Sequence, residues 1–215
     1  MNERAFVAKH TRLQAVPGVD LRLHLADDVN VVWHATQGAM GDSDTPIPYW
    51  AFAWGGGLAI ARYLAEHPEV VAGKRVLDVA SGSGLCAIAA MRAGAAEATA
   101  VDIDPFAIAA IGLNARANGV RVEVTRDDLL DDAPPDVDVI VAGDCWYEER
   151  FATRISAWLA RAAAAGIHVL IGDPGRRYLS HDGLTALATY EVRSTTDLED
   201  MARTTATVYA LADRG

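Results

Sequence analysis

From Gly57 onward, short apolar runs alternate with stretches whose apolar residues recur at helical spacing. Arg75 to Val79, Ala98 to Ile103, Arg121 to Thr125, Val137 to Ala142 and Ile167 to Gly172 read as strands. Between them lie helical patterns. Leu58 to His67 places Leu58, Ala61, Tyr63 and Leu64 together and meets Pro68 near its end. Leu85 to Arg92 stops before Gly94. Asp104-Pro105 supplies an N-cap acid and a proline at the first helical position, and Gly119 ends that helix. Glu148 to Ala165 puts Phe151, Ile155, Trp158, Leu159 and Ala162 on one face. A short helix is expected around Asp182 to Thr189.

The end of the chain breaks the rhythm. Tyr190 to Ser194 and Thr205 to Leu211 read as strands with only about ten residues between them. That is too short for a helical crossover, so the pair is expected to be antiparallel. The pattern predicts an α/β fold: a doubly wound, seven-stranded, mostly parallel sheet with an antiparallel C-terminal hairpin. Upstream, Leu21 to Leu25 and Val29 to Trp33 read as a small hairpin, and Gly38 to Pro48 as a loop.

Composition narrows the picture modestly. The 215 residues suffice for one domain with a sizeable core. No apolar run reaches the roughly 18–20 residues of a membrane span, and no apolar core follows a basic start at Met1-Asn2-Glu3-Arg4, so no signal peptide is expected. A net charge of −10 argues against a nucleic-acid partner. Cys86 and Cys145 lie in apolar contexts that suit a reduced, cytoplasmic protein. The histidines show no metal spacing with either cysteine, so no metal is expected. Ser81 and Ser83 lack the flanking pattern of a nucleophile elbow, and Cys86 reads as a small helix-face residue.

The chemistry concentrates at Val76-Leu77-Asp78-Val79-Ala80-Ser81-Gly82-Ser83-Gly84. A strand delivers Asp78, and glycines then let the backbone pass close to a ligand. Gly82-Ser83-Gly84-Leu85-Cys86-Ala87 is a relaxed G-x-G-x-x-A fingerprint, which by itself leaves a nicotinamide cofactor open. Three carboxylate positions and the C-terminal hairpin point elsewhere. Asp78, before the turn, can hold a cationic amino group but would sit badly beside a pyrophosphate. Asp102, ending the second strand, can accept both ribose hydroxyls, while Asp104 reads as the N-cap. Asp127-Asp128 follows the third strand, where a carboxylate can accept from an adenine amine. The hairpin replaces a second mononucleotide-binding half. An amino-acid cation, a ribose and an adenine without phosphate describe S-adenosylmethionine. The plainer alternatives are a turn cap for Asp78 and solvated loop acids for Asp127 and Asp128.

These motifs, with Val101-Asp102-Ile103-Asp104-Pro105, resemble class I, seven-strand S-adenosylmethionine-dependent methyltransferases. Pro48 to Gly57, Gly143-Asp144-Cys145-Trp146-Tyr147 and Val169 to Arg176 are similar to the lysine methyltransferases of the electron-transfer flavoprotein β subunit. The resemblance covers Pro48 to Leu211. It implies residues 48–215 as the methyltransferase domain and residues 1–47 as an N-terminal extension. It also implies cofactor roles for Trp54, Gly82, Gly84, Asp102 and Gly143, with Asp128 and Leu129 beside the adenine. Asp144 and Tyr147 match an Asp-x-x-Tyr motif and would face the acceptor lysine, Asp144 orienting the amine. The implied protein substrate is the flavoprotein β subunit. Another protein, such as a ribosomal one, or a small amine stays open as acceptor, and the alternatives of another class are a nicotinamide-dependent oxidoreductase and a non-catalytic cofactor-binding module. Trp146 or Trp50 could form a cation–π wall or simply pack in the core.

Overall fold

The computed structural model describes residues 2–42, 45–192 and 204–212. Helix α1 (Glu3–His10) leads into an antiparallel hairpin of β1 (Arg12–Ala15) and β2 (Arg22–Leu25), and α2 (Val29–Met40) follows. The expected hairpin is therefore displaced. Leu21 to Leu25 does supply a strand, but its partner lies upstream, and Val29 to Trp33 opens α2. The cause is local: Asp28 Oδ1 accepts the backbone N–H groups of Asn30 and Val31 at 2.8 and 3.1 Å, an N-cap that outweighs the β-branched run. The helix continues through Gly38 and stops at Gly41, a left-handed C-cap, so the expected loop begins later than Gly38.

The core sheet holds β3 (Arg75–Val79), β4 (Glu97–Val101), β5 (Glu123–Thr125), β6 (Val139–Gly143), β7 (His168–Asp173), β8 (Leu184–Val192) and β9 (Thr204–Leu211). Their order is β5-β4-β3-β6-β7-β9-β8. The first five run parallel, and β9 is antiparallel to both of its neighbours. The helices are α3 (Gly55–Glu66), α4 (Leu85–Arg92), α5 (Pro105–Ala117) and α6 (Glu149–Ala164). The seven-stranded doubly wound fold with its antiparallel end is thus present.

One expected element is absent. The segment around Asp182 to Thr189 is not a helix, because β8 already begins at Leu184 and pairs with β9 from there, with a bulge between Ala186 and Ala188. Its alanines and leucines suit a helix locally, and pairing with β9 overrides that preference. Ser194, the end of the expected strand from Tyr190, lies outside the described residues.

Strand alternation divides the core. Val76, Ala98, Val139, Val141 and Leu170 face α3 and α4, while Leu77, Ile140, Ala142, Val169 and Ile171 face α6. The first 47 residues share this interior. Leu23 and Leu25 are fully buried in the α3–α4 core, and Val7 and Val32 pack with Trp50 and Phe106. Asn114 of α5, also fully buried, accepts the His24 N–H at 2.6 Å and donates to the Ser83 carbonyl at 2.8 Å. It thereby joins the hairpin to the glycine turn.

The tightest packing lies where α3 meets the ends of β6 and β7. The sequence places the helix start at Leu58, but the helix begins at Gly55, with Gly-Gly-Gly as its first turn. A Cβ on Gly172 would lie 2.2 Å from the Gly56 carbonyl oxygen, and one on Gly56 would lie 2.1 Å from that of Gly172. A Cβ on Gly143 would press the Gly57 backbone at 3.0 Å. Backbone meets backbone, so no side chain can move aside. We expect Gly172→Ala to destabilise the protein by about 2–3 kcal/mol or more. Gly38→Ala, in open space within α2, should be neutral or stabilising by up to ~1 kcal/mol. Urea midpoints compare the two, and equal effects would contradict this packing.

Candidate active site

The parallel strands β3, β4, β6 and β7 all end on one edge of the sheet, around the switch point where the order reverses between β3 and β6. A cavity of about 610 Å³ opens there. It is lined by Trp54, Asp78, Gly82, Asp102, Asp128, Leu129, Gly143, Asp144 and Tyr147. Of the expected site residues only Gly84 is not in its wall. Gly84 is left-handed (φ 82°) at the N-terminus of α4, and a Cβ there would meet Ile111 at 3.1 Å. Its place is in turn geometry and helix packing.

Asp78 is buried at the end of β3. Its Oδ2 accepts from Ser81 Oγ at 2.5 Å and from the Ala87 N–H at 3.0 Å. It does cap the turn, as the plainer alternative held. Both bonds fall on Oδ2, however, so Oδ1 remains available to a ligand cation. Burial raises this carboxyl to about pKa 7, against the two hydrogen bonds. Asp102 ties two loops together: Oδ2 accepts the Gly82 N–H at 2.8 Å and Oδ1 the Asp104 N–H at 2.9 Å. Each oxygen keeps a second lone pair for a hydroxyl. Asp104 caps α5 through the Phe106 N–H at 2.8 Å, and burial lifts its pKa to about 6.

Asp128 accepts the Leu130 N–H at 3.2 Å and pairs with Arg154 at 3.1 Å. Thr125 Oγ1 donates to Asp127 at 2.5 Å. Asp128 therefore bears on a ligand only from its remaining acceptor positions.

Asp144 follows β6 in the left-handed region, φ 58°, unusual for a non-glycine residue. The bond from its N–H to the Gly172 carbonyl, 3.0 Å, holds it there. Oδ2 accepts the Gly57 N–H at 2.8 Å, at the positive end of α3. Oδ1 accepts from Arg176 Nη2 at 3.3 Å. Burial raises its pKa to about 6, opposed first by Arg176 and then by the Gly57 and Gly56 amides.

Tyr147 is 42% exposed at the rim. Its ring centroid lies 4.7 Å from that of Tyr49, and burial pushes its phenol well above the usual value. Trp54 Nε1 donates to the Tyr49 carbonyl at 2.8 Å, and the Arg176 guanidinium carbon lies 5.8 Å from the Trp54 ring centroid. Trp146 is core: its Nε1 donates to Ser156 Oγ at 2.9 Å and it does not reach the cavity. Trp50 is buried beside Phe106, ring centroids 6.0 Å apart, with one edge on the cavity. Sequence reasoning did not single out Tyr49, Arg154 or Arg176. Tyr49 and Arg176 lie inside segments it did mark; Arg154, on α6, carried no signal. Among the described residues no group of His, Cys, Asp and Glu could hold a metal ion.

Comparison with known proteins agrees with this geometry. The family profile of ribosomal protein L11 methyltransferase (PrmA) matches residues 62–143. Two solved structures share the fold. Ribosomal protein L11 methylase of Lactobacillus delbrueckii subsp. bulgaricus has TM-score 0.51 and 22% identity over 71% of this chain and 77% of that one. Magnesium protoporphyrin IX methyltransferase of Synechocystis, solved with bound SAM, has TM-score 0.52 and 15% identity over 73% and 77%. Sheet order and strand directions thus give the Rossmann-like fold that these methyltransferases share.

Relatives of higher identity are more particular. Electron transfer flavoprotein beta subunit lysine methyltransferase of Xenopus laevis is 35% identical over 214 residues, 96% of this chain and 86% of that protein. Its counterpart in Rattus norvegicus is 41% identical over 168 residues, 75% of this chain and 66% of that protein. The chain belongs to the family of electron transfer flavoprotein beta subunit lysine methyltransferases. It matches just under two thirds of the length of the rat relative.

The raised carboxyls carry a testable consequence. An acid whose folded pKa exceeds its unfolded one binds its proton more tightly when folded. Its contribution to stability is full below the unfolded pKa and is lost as pH rises through the folded one. For Asp78 that window runs from about 4 to about 7. Without ligand, stability should decline across it, the Asp78 share approaching ~1.4 kcal/mol per pH unit. Asp78→Asn should flatten this limb in urea titrations, and an unchanged limb would contradict the burial of a titrating Asp78.

Proposed function

We propose that the protein transfers a methyl group from S-adenosylmethionine to lysine side chains of the electron-transfer flavoprotein β subunit. The supporting observation is the meeting of two kinds of residue in one cavity: Asp78 and Asp102 at one side, Asp144, Tyr147 and Arg176 at the other. The names of these relatives supply the substrate.

The residues fit the cofactor. Asp78 Oδ1 would hold its ammonium, Asp102 its ribose hydroxyls, and Asp128 and Leu129 would flank the adenine; Gly82, Gly143 and Trp54 complete the wall. The bound cofactor supplies an activated methyl group on a neutral leaving group. The protein then has little covalent chemistry to perform. It must orient the amine, exclude water and leave the acceptor nitrogen unprotonated. Tyr147, Tyr49 and Trp54 form an aromatic rim suited to an alkylammonium. Asp144, braced by the Gly57 N–H of α3 and by Arg176, would orient the nitrogen.

Another acceptor protein is the second reading, since the ribosomal-protein family profile also matches. That match ends at Gly143, just before Asp144 and Tyr147, and so covers the cofactor half alone. We propose further that the protein works in the cytoplasm and takes neither a membrane nor a nucleic acid as partner; its two buried free thiols and its net charge of −10 support this reading. No helix among the described residues is long and apolar enough to cross a membrane.

The test is incubation with isotopically labelled cofactor and purified flavoprotein, read by mass spectrometry. Label on lysines of the β subunit is expected, with Asp144→Ala reducing the rate about 100-fold through misplacement of the amine. Labelling by the variant at the wild-type rate would remove Asp144 from the site. Absence of label on the β subunit would exclude it as the acceptor.

A further inference from the structure

Arg176 occupies the turn after β7. Asp173 Oδ1 accepts the N–H groups of Gly175 and Arg176 at 2.7 and 2.6 Å, which fixes the turn. Asp173 is buried, at 1% exposure, so the turn is set from inside the fold. The guanidinium reaches across to Asp144 Oδ1 and lies beside the Trp54 ring, within the cavity wall.

This placement bears on a difficulty in lysine methylation. The acceptor attacks only as a neutral amine, yet its ordinary pKa is about 10.4. A bare carboxylate beside it would favour the ammonium and make matters worse. Arginine keeps its charge at any working pH. Paired with Asp144 it cancels the carboxylate while leaving both oxygens in place to orient a nitrogen. The acceptor then gives its proton to solvent water against a weaker field than an unpaired carboxylate would set.

We propose that Arg176 is a positioning residue that neutralises Asp144, so that the acceptor lysine loses its proton at a lower pH than beside an unpaired carboxylate. This rests on the reading that the acceptor is a lysine. The other groups facing the pair are known. Cys145 beyond β6 and Cys86 on α4 are thiols that burial holds well above their ordinary range. Tyr49 and Tyr147 are phenols raised by burial. Asp173 on β7, with His181 near it, and Asp78 and Asp102 at the cofactor side complete the set.

Single-turnover rates on the flavoprotein, measured against pH, isolate the protonation state in the complex. Arg176→Gln should move the rising limb up by about one pH unit. Arg176→Lys should leave it near wild type, Asp144→Asn should move it down, and the double variant Asp144→Asn with Arg176→Gln should return it toward wild type. Loss of structure alone would not give opposite shifts. The affinity for S-adenosylhomocysteine, by calorimetry, should change less than about threefold in Arg176→Gln, well under the tenfold that 1.4 kcal/mol represents. An unmoved limb in Arg176→Gln, or a tenfold loss of that affinity with the limb unmoved, overturns the proposal and in the second case assigns Arg176 to the cofactor. A wild type that labels no lysine overturns the lysine reading itself, a result distinct from either.

Discussion

The contact between the first turn of α3 and the ends of β6 and β7 is the constraint on which the site depends. Gly56 and Gly172 meet backbone to backbone, and Gly143 lies against Gly57. That closeness brings the positive end of α3 within hydrogen-bonding distance of Asp144. It also holds Asp144 in a left-handed conformation that costs roughly 1–2 kcal/mol. Ala80, just after β3, is left-handed as well (φ 54°), and both residues lie in the cavity wall. A bulkier side chain at any of the three glycines would move the helix away and release Asp144 from its support.

The cofactor side rests on a different device. Asp78 and Asp102 are strand-end carboxylates whose hydrogen bonds go to turn and helix amides, so each is both a structural cap and a ligand-facing group. Capping orients them while leaving acceptor capacity toward the cavity. Asp78 is then poised between protonation states near neutral pH, and a cation arriving there would favour its ionised form. The functional and structural readings of these acids do not compete.

Much of this was legible in the chain. The alternation of apolar runs and helical stretches located five parallel strands, and Asp104-Pro105 marked the start of α5 with its true N-cap. The carboxylates after β3 and β4 were readable because strand ends on one edge of a sheet converge. What escaped was non-local. Nothing near Leu184 announces pairing with β9, and nothing near Val29 outweighs its β-branched neighbours except one capping acid. The three glycines of α3 look like a loop until Gly143 and Gly172 are placed against them. Arg176 and Tyr49 join the site only through folding, from segments well apart in sequence. Gly84, conversely, carries the sequence mark of a cofactor loop yet packs against α5.

The central claim is that one cavity holds the cofactor toward Asp78 and Asp102 and exposes its reactive end toward Asp144, Tyr147 and Arg176. A crystal structure of the complex with S-adenosylhomocysteine tests it most directly. The account predicts the amino group within hydrogen-bonding distance of Asp78 Oδ1, the ribose hydroxyls on Asp102, and the sulfur facing the Asp144–Tyr147 side. A ligand bound with its adenine against Asp144, or outside this cavity altogether, would contradict it.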